Sequence, residues 1–162
     1  MPTSAATGPY KQPVSVLVVV HTADLQILLL ERVSPAGFWQ SVTGSLEAGE
    51  TPAAAAVREL REETGLVAPS GQLLDWHHVN RFPILPAWRA RYAPDVTDNT
   101  EHVFSLCLPH PQAIRLAPHE HRRCRWLPWP AAIPAASSST NRDAIRRLAL
   151  GTLRSARPTL PY

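Results

Sequence analysis

Gly44-Ser45-Leu46-Glu47-Ala48-Gly49-Glu50-Thr51-Pro52-Ala53-Ala54-Ala55-Ala56-Val57-Arg58-Glu59-Leu60-Arg61-Glu62-Glu63-Thr64-Gly65-Leu66 is the stretch on which the reading of this chain turns. It opens as a loop bearing Gly44 and Gly49, then carries helix signals at both ends. Thr51 is a favoured N-cap and Pro52 suits the first helical position, where its missing N–H costs nothing. Residues 53–64 are strong helix formers, and Gly65 followed by Leu66 is a stop of the Schellman kind. At about 100° per residue, Ala53, Ala56, Val57 and Leu60 are predicted to share one face, with Glu59, Glu62 and Glu63 on an adjacent one. Glu59 and Glu63, one turn apart, repel by roughly a few tenths of a kcal/mol, so the cluster needs a compensating cation. Arg58 and Arg61 would suffice for a solvated acidic helix. A hard divalent ion, Mg²⁺ or Mn²⁺, is the alternative, because such ions favour carboxylate and water oxygens.

The rest of the composition sharpens that lead. Five of the 13 acidic residues crowd into Glu47, Glu50, Glu59, Glu62 and Glu63, although the chain carries a net charge of +3. Its basic residues are 15 arginines and the single lysine, Lys11, with no block of like charge that would demand nucleic acid. A length of 162 residues with 44% hydrophobic content predicts a packed core in one domain, residues 1–162, with a loose tail at 1–10. No run of 18 apolar residues exists, which excludes a helical membrane span. No secretion signal is visible, and Cys107 and Cys124 cannot make a disulfide framework, so a cytoplasmic location is expected.

Around the central helix, residues 13–20 are rich in β-branched side chains and read as a buried strand, with 26–30 as its antiparallel partner. Short strands are predicted at 38–43, 72–79, 88–92, 102–108 and 123–127. Residues 93–100 read as a turn-rich loop, 128–140 as a proline- and serine-rich connector, and 141–153 as a closing amphipathic helix. Several strands with one central and one terminal helix predict an α/β sandwich on a mixed sheet.

The spacing of the quoted stretch resembles the signature of the Nudix hydrolases. That signature runs Gly, five residues, Glu, seven residues, then Arg-Glu-apolar-any-Glu-Glu-any-Gly-apolar. Here Gly44, Glu50 and Arg58-Glu59-Leu60-Arg61-Glu62-Glu63-Thr64-Gly65-Leu66 fill it without departure. The resemblance implies an α/β/α Nudix fold and hydrolysis of a diphosphate linked to another group. By motif position it implies Glu59 and Glu63 as metal ligands and Glu62 as a further ligand or proton carrier. Arg58 would then orient the carboxylates, and Glu50 would support the junction of loop and helix.

The flanks Tyr10-Lys11-Gln12-Pro13-Val14-Ser15-Val16, Phe38-Trp39-Gln40-Ser41-Val42-Thr43-Gly44, Arg91-Tyr92-Ala93-Pro94 and Val96-Thr97-Asp98-Asn99-Thr100-Glu101 are similar to the branch acting on dihydroneopterin triphosphate. Trp126-Leu127 and Asn141-Arg142 extend the likeness. That branch implies release of pyrophosphate from the pterin triphosphate in folate biosynthesis, with dATP or general nucleoside triphosphate cleaning as the alternative. It also implies Glu120 as a further metal ligand and candidate general base, and places Ser138 near the substrate. Lys11 and Arg32 are expected to serve phosphate, the compact ammonium fitting where a guanidinium would not. Thr43, beside Gly44, offers a hydroxyl or backbone contact. The expected cofactor is Mg²⁺ with Mn²⁺ as substitute, and the expected partner a small triphosphate, with no nucleic acid, no membrane and a monomeric protein. Zinc at His119, His121 and Cys124 is disfavoured, since no other ligand pair sits at zinc spacing. A catalytically silent ligand sensor is disfavoured by the intact signature.

Overall fold

Alternating side chains of β1 (Val14–Thr22) are buried on both faces, and this one strand organises the molecule. Val16, Val18 and Val20 point into one hydrophobic cluster with Leu60 and Ala56, whereas Leu17 and Val19 point into a second with Ala144 and Ile145. A strand buried on both faces reads as a continuous apolar run, which is why 13–20 was legible as a core strand. The computed structural model describes residues 10–69 and 71–155. Apart from Tyr10, the tail expected at 1–10 therefore lies outside the described residues.

Along its full length β1 runs parallel to β6 (Asp98–Leu108), with Val14 opposite Thr100 and Thr22 opposite Leu108. Its other edge is shared between two partners. At the far end only His21 opposite Ile27 pairs with β2 (Gln26–Arg32), while residues 15–18 pair with β4 (Val42–Ser45). β2 then carries β3 (Trp39–Gln40) and, along 26–32, β7 (His121–Pro128); β5 (Leu74–Pro83) closes the opposite edge on β6. The sheet is mixed. Helix α1 (Pro52–Thr64) covers one face, and α2 (Trp129–Ala135) with α3 (Ser139–Ser155) covers the other, giving the expected α/β/α sandwich. No helix among the described residues is long and apolar enough to cross a membrane.

The signals at the ends of α1 act as read. The Thr51 hydroxyl accepts from the Ala54 N–H at 3.2 Å, and Gly65 takes φ 75° while its N–H donates to the Arg61 carbonyl at 2.9 Å. The buried face, however, is rotated from the expected one. Ala55, Ala56, Glu59, Leu60, Glu63 and Thr64 are buried, while Val57 is 44% exposed. A hydrophobicity pattern assigns carboxylates to water, and here two of them face inward.

Three further expectations are corrected. The strand expected at 38–43 is broken at Ser41, whose N–H donates to Asn141 Oδ1 (2.7 Å) instead of to a neighbouring strand. The strand expected at 88–92 is a 3₁₀ helix, Pro86–Arg91, because its alternating pattern has no ladder to join and Pro86 sets a helical φ at its start. The connector expected at 128–140 contains α2, since Pro130 falls in the first turn, where proline is tolerated.

Asn141 fastens α3 to that break. It is fully buried, and its Nδ2 donates to Ser41 Oγ at 2.9 Å while its Oδ1 accepts from the Ser41 N–H. Asn141→Ala should cost about 2–4 kcal/mol in urea unfolding, because it leaves a buried N–H and hydroxyl unpartnered. Arg146→Ala, which loses only the exposed pair with Asp143, should change stability by about 0.5 kcal/mol or less. Equal effects of the two substitutions would contradict this account of the junction.

Candidate active site

The loop before α1 and the helix itself are tied by one guanidinium. Arg58 Nε and Nη2 donate to the two carboxylate oxygens of Glu50, each at 2.8 Å, and Nη2 also donates to the Ser45 carbonyl at 3.0 Å. Its Nη1 donates to Glu59 at 2.8 Å and to Glu62 at 3.2 Å. A planar fork with five donors can serve five acceptor oxygens on four residues this way; a lysine cannot. The bidentate contact holds the Glu50 carboxyl at a pKa of about 2 and raises that of Arg58. Glu62 is exposed on the outer side of this fork.

Glu59 lies flat against Gly44. A Cβ at position 44 would sit inside the Glu59 carboxylate, so only glycine leaves room for it there. Burial pushes the Glu59 pKa up to about 7 against the pull of Arg58. Glu63 is 1% exposed, and burial, then Glu59 and Glu120, raise its pKa well above the carboxylate range. The Thr43 N–H donates to Glu63 Oε2 at 3.1 Å and opposes that rise.

Glu120 arrives from the turn before β7, held through its carbonyl, which accepts the Val33 N–H at 2.8 Å. Ligand atoms of Glu63, Glu120 and His121 lie within 4.8 Å of one another. In the sequence His121 enters only as a zinc ligand, with His119 and Cys124, and is disfavoured. It is 2% exposed, its Nε2 stands 3.3 Å from Glu63 Oε1, and its Nδ1 has no partner among the described residues. Burial, then Arg32, lowers its pKa to about 4, so the ring is neutral at pH 7. The clustered ligand atoms are thus two carboxylates and one imidazole, with Glu59 outside that group but acting on Glu63 and Glu120 through its charge; carboxylate oxygens of this kind fit a hard divalent cation.

On the other side of β4 lies a cavity of about 440 Å³. Lys11, Arg32, Thr43 and Ser138 all line it, as do Phe38, Trp88 and Tyr92. Arg32 stacks 5.3 Å from the Trp88 ring centroid, and Lys11 Nζ stands 6.0 Å from that of Tyr92. Partial burial and then Arg91 lower the pKa of both cations; for Lys11 the mutual repulsion with Arg32 adds to this. The carboxylates Glu59 and Glu120 act on Lys11 in the opposite sense, as do Glu63 and Glu120 on Arg32. Thr43 donates its hydroxyl to the Val16 carbonyl at 2.9 Å, so what it offers the site is its backbone N–H. Ser138 Oγ accepts from the Asn141 N–H at 3.2 Å, at the start of α3. The arrangement joins a place for a divalent cation, two cations for phosphates and an aromatic-walled cavity for a ring.

This fold and this loop–helix site define a Nudix protein: the sequence matches the NUDIX domain family over residues 11–148, and the chain belongs to that family. Among its relatives is a protein of Escherichia coli strain K12 named dihydroneopterin triphosphate diphosphatase. It is 44% identical over 144 residues, covering 87% of this chain and 95% of that one. A protein of the same name from Haemophilus influenzae is 39% identical over 141 residues, covering 85% and 88%. The solved structure of the E. coli dihydroneopterin triphosphate pyrophosphohydrolase superposes with a TM-score of 0.81 at 43% identity, covering 88% of this chain and 98% of that one.

A carboxyl whose folded pKa exceeds its unfolded value favours the fold fully below the unfolded pKa, and that contribution is lost as pH rises through the folded pKa. For Glu59 the interval runs from 4.5 to about 7. The metal-free protein should therefore lose thermal stability between pH 5 and pH 8. Added MgCl₂ should raise Tm more at pH 8 than at pH 5, because ligation requires ionised carboxylates. Thermal unfolding in EDTA and in MgCl₂ at the two pH values checks this. A Tm that climbs across the interval without metal would contradict it.

Proposed function

We propose that this protein is a cytoplasmic, monomeric, Mg²⁺-dependent pyrophosphohydrolase that converts dihydroneopterin triphosphate to dihydroneopterin monophosphate and pyrophosphate. The observation that carries the reading is the cluster of Glu63 and Glu120, with Glu59 acting on both through its charge, beside an aromatic-walled cavity whose wall bears Lys11 and Arg32. The likeness to the E. coli protein over nearly its whole length supports the choice of substrate.

In this reading Glu59, Glu63 and Glu120 hold the metal. When bound, the ion offsets charge on the phosphate oxygens and lowers the pKa of a coordinated water. The chain's own residues do the rest. Arg58 fixes Glu59 and the loop so that the carboxylates need not reorganise. The Thr43 N–H fixes Glu63. Lys11 and Arg32 draw in the triphosphate and hold its oxygens. Glu120, the exposed member of the group, takes the proton of a water that adds to the α or the β phosphorus. The P–O bond of the anhydride breaks, and pyrophosphate leaves with the bridging oxygen or without it according to which phosphorus is attacked. His121, neutral and buried, packs beside Glu63 and positions it.

Glu59→Gln and Glu63→Gln should each lower pyrophosphate release by at least about a hundredfold, since loss of a ligand exceeds loss of its outer support. Both variants should fold, because glutamine keeps the shape and removes a buried charge. Product analysis with dihydroneopterin triphosphate and with dATP, each at equal concentration with saturating Mg²⁺, tests the assignment. Near-normal turnover by both variants would overturn the ligand set. A preference of the unaltered protein for dATP would overturn the pterin and leave the reaction standing.

A further inference from the structure

At the floor of the cavity β6 presents two polar side chains on alternate positions, Asn99 and Glu101. Each is 5% exposed. Both lie on the strand face toward α3, Glu101 being in register with Ser15 of β1. The partners of Glu101 are neutral: Asn80 Nδ2 donates to its Oε1 at 3.2 Å, and the Thr140 hydroxyl bonds it from the first turn of α3. Among the described residues no lysine, arginine or histidine lies within 4.0 Å of it. Asn99 Nδ2 donates to Ser15 Oγ at 2.7 Å, and its Oδ1 is buried with no partner among the described residues.

The floor therefore carries surplus acceptors. A buried carboxylate without a cation, beside an orphaned carbonyl oxygen, is costly in the empty protein. It becomes favourable when a ligand brings N–H donors to it, since hydrogen bonds to an ionised acceptor are the strong ones. The walls, with Phe38 and Trp88 at 5.9 Å edge to face, suit a flat ring. The cations Lys11 and Arg32 act with the metal-site carboxylates, which directs the phosphates away from this floor.

We propose that Glu101, with Asn99 beside it, reads the adjacent ring N–H and exocyclic amino group of a 2-amino-4-oxopyrimidine edge, such as a pterin presents. This deepens the pterin triphosphate reading above and rests on it for the choice of ligand. Two parallel N–H donors match a carboxylate in bidentate fashion. An adenine edge does not, because it sets one amino group beside a ring-nitrogen acceptor, whose lone pair would oppose the carboxylate. Glu101 is thus a specificity-determining residue.

The rival is that Glu101 serves only to hold the first turn of α3 through Thr140, and a ligand-side test separates the two. Binding of neopterin, which carries no phosphate, and of its 2-oxo analogue to the full chain is measured by calorimetry. The unaltered protein should bind neopterin about tenfold to a hundredfold more tightly than the analogue, the value of one or two hydrogen bonds to a charged acceptor. Glu101→Gln should abolish that discrimination while keeping the Mg²⁺-induced rise in Tm. Equal affinity of the unaltered protein for both rings, or discrimination retained in Glu101→Gln, overturns the proposal. Should the variant fail to fold, the two ligands on the unaltered protein decide alone. Discrimination without pyrophosphate release from dihydroneopterin triphosphate would sink the proposed function and uphold the role of Glu101; turnover without discrimination would do the reverse.

Discussion

Carboxylates at Glu50, Glu59 and Glu62 converge on the guanidinium of Arg58, and the loop, the helix and the site are held together through that group. Four acidic residues between 50 and 63 would otherwise push the loop off the helix and the helix off the sheet. The fork answers both problems, because its remaining bond goes to the Ser45 carbonyl at the end of β4. Charge is balanced where the chain would repel itself. The same bonds leave Glu59 with one face toward Gly44 and one toward the site. Such a residue is fixed by geometry as much as by charge, since the donors must point in four directions from one plane.

Strand β4 is only four residues long, yet it does two jobs because a strand alternates its faces. Thr43, Gly44 and Ser45 all line the cavity, and Gly44, having no Cβ, also leaves room for the Glu59 carboxylate. The backbone of the same residues reaches α1, through the Thr43 N–H to Glu63 and the Ser45 carbonyl to Arg58. That arrangement depends on β1 releasing β2 after His21 and taking β4 instead. A sheet in which β1 and β2 stayed paired would have no short strand to couple the carboxylate face to the cavity face.

Much of this was legible in the sequence, for reasons that are local. Thr51, Pro52 and Gly65 set the ends of α1 by their own backbone and side-chain chemistry, and the Gly44-to-Leu66 spacing carried the family. The errors are also physical. Val57 was assigned to the core and Glu59 and Glu63 to an adjacent face, because hydrophobicity does not know that a functional carboxylate is worth burying. Residues 88–92 alternate like a strand, but Trp88 and Tyr92 line a cavity and have no neighbour to pair with. His121 reaches Glu63 only through the pairing of β7 with β2, and Asn141 meets Ser41 across 100 residues. No local signal reports contacts of that range. Cys124, weighed with His119 and His121 for zinc and disfavoured, packs beside the core on the α1 side.

The distribution of charge across the cavity gives the site a direction. Lys11 and Arg32 feel the carboxylates of Glu59, Glu63 and Glu120, whereas Glu101 and Asn99 form a floor bonded only by neutral groups. An anionic chain is drawn to the first and repelled by the second, so a ligand with phosphates at one end and ring donors at the other has a single favourable orientation. Reversing it would place phosphate oxygens against a buried carboxylate and leave two cations facing an uncharged ring. The aromatic walls tolerate many flat rings and cannot by themselves decide among them. In the proposed reading, reaction class therefore resides in α1 and its loop, and ring choice in β6. The two meet by way of β1, which packs against α1 through Val16, Val18 and Val20 and pairs with β6 along its length.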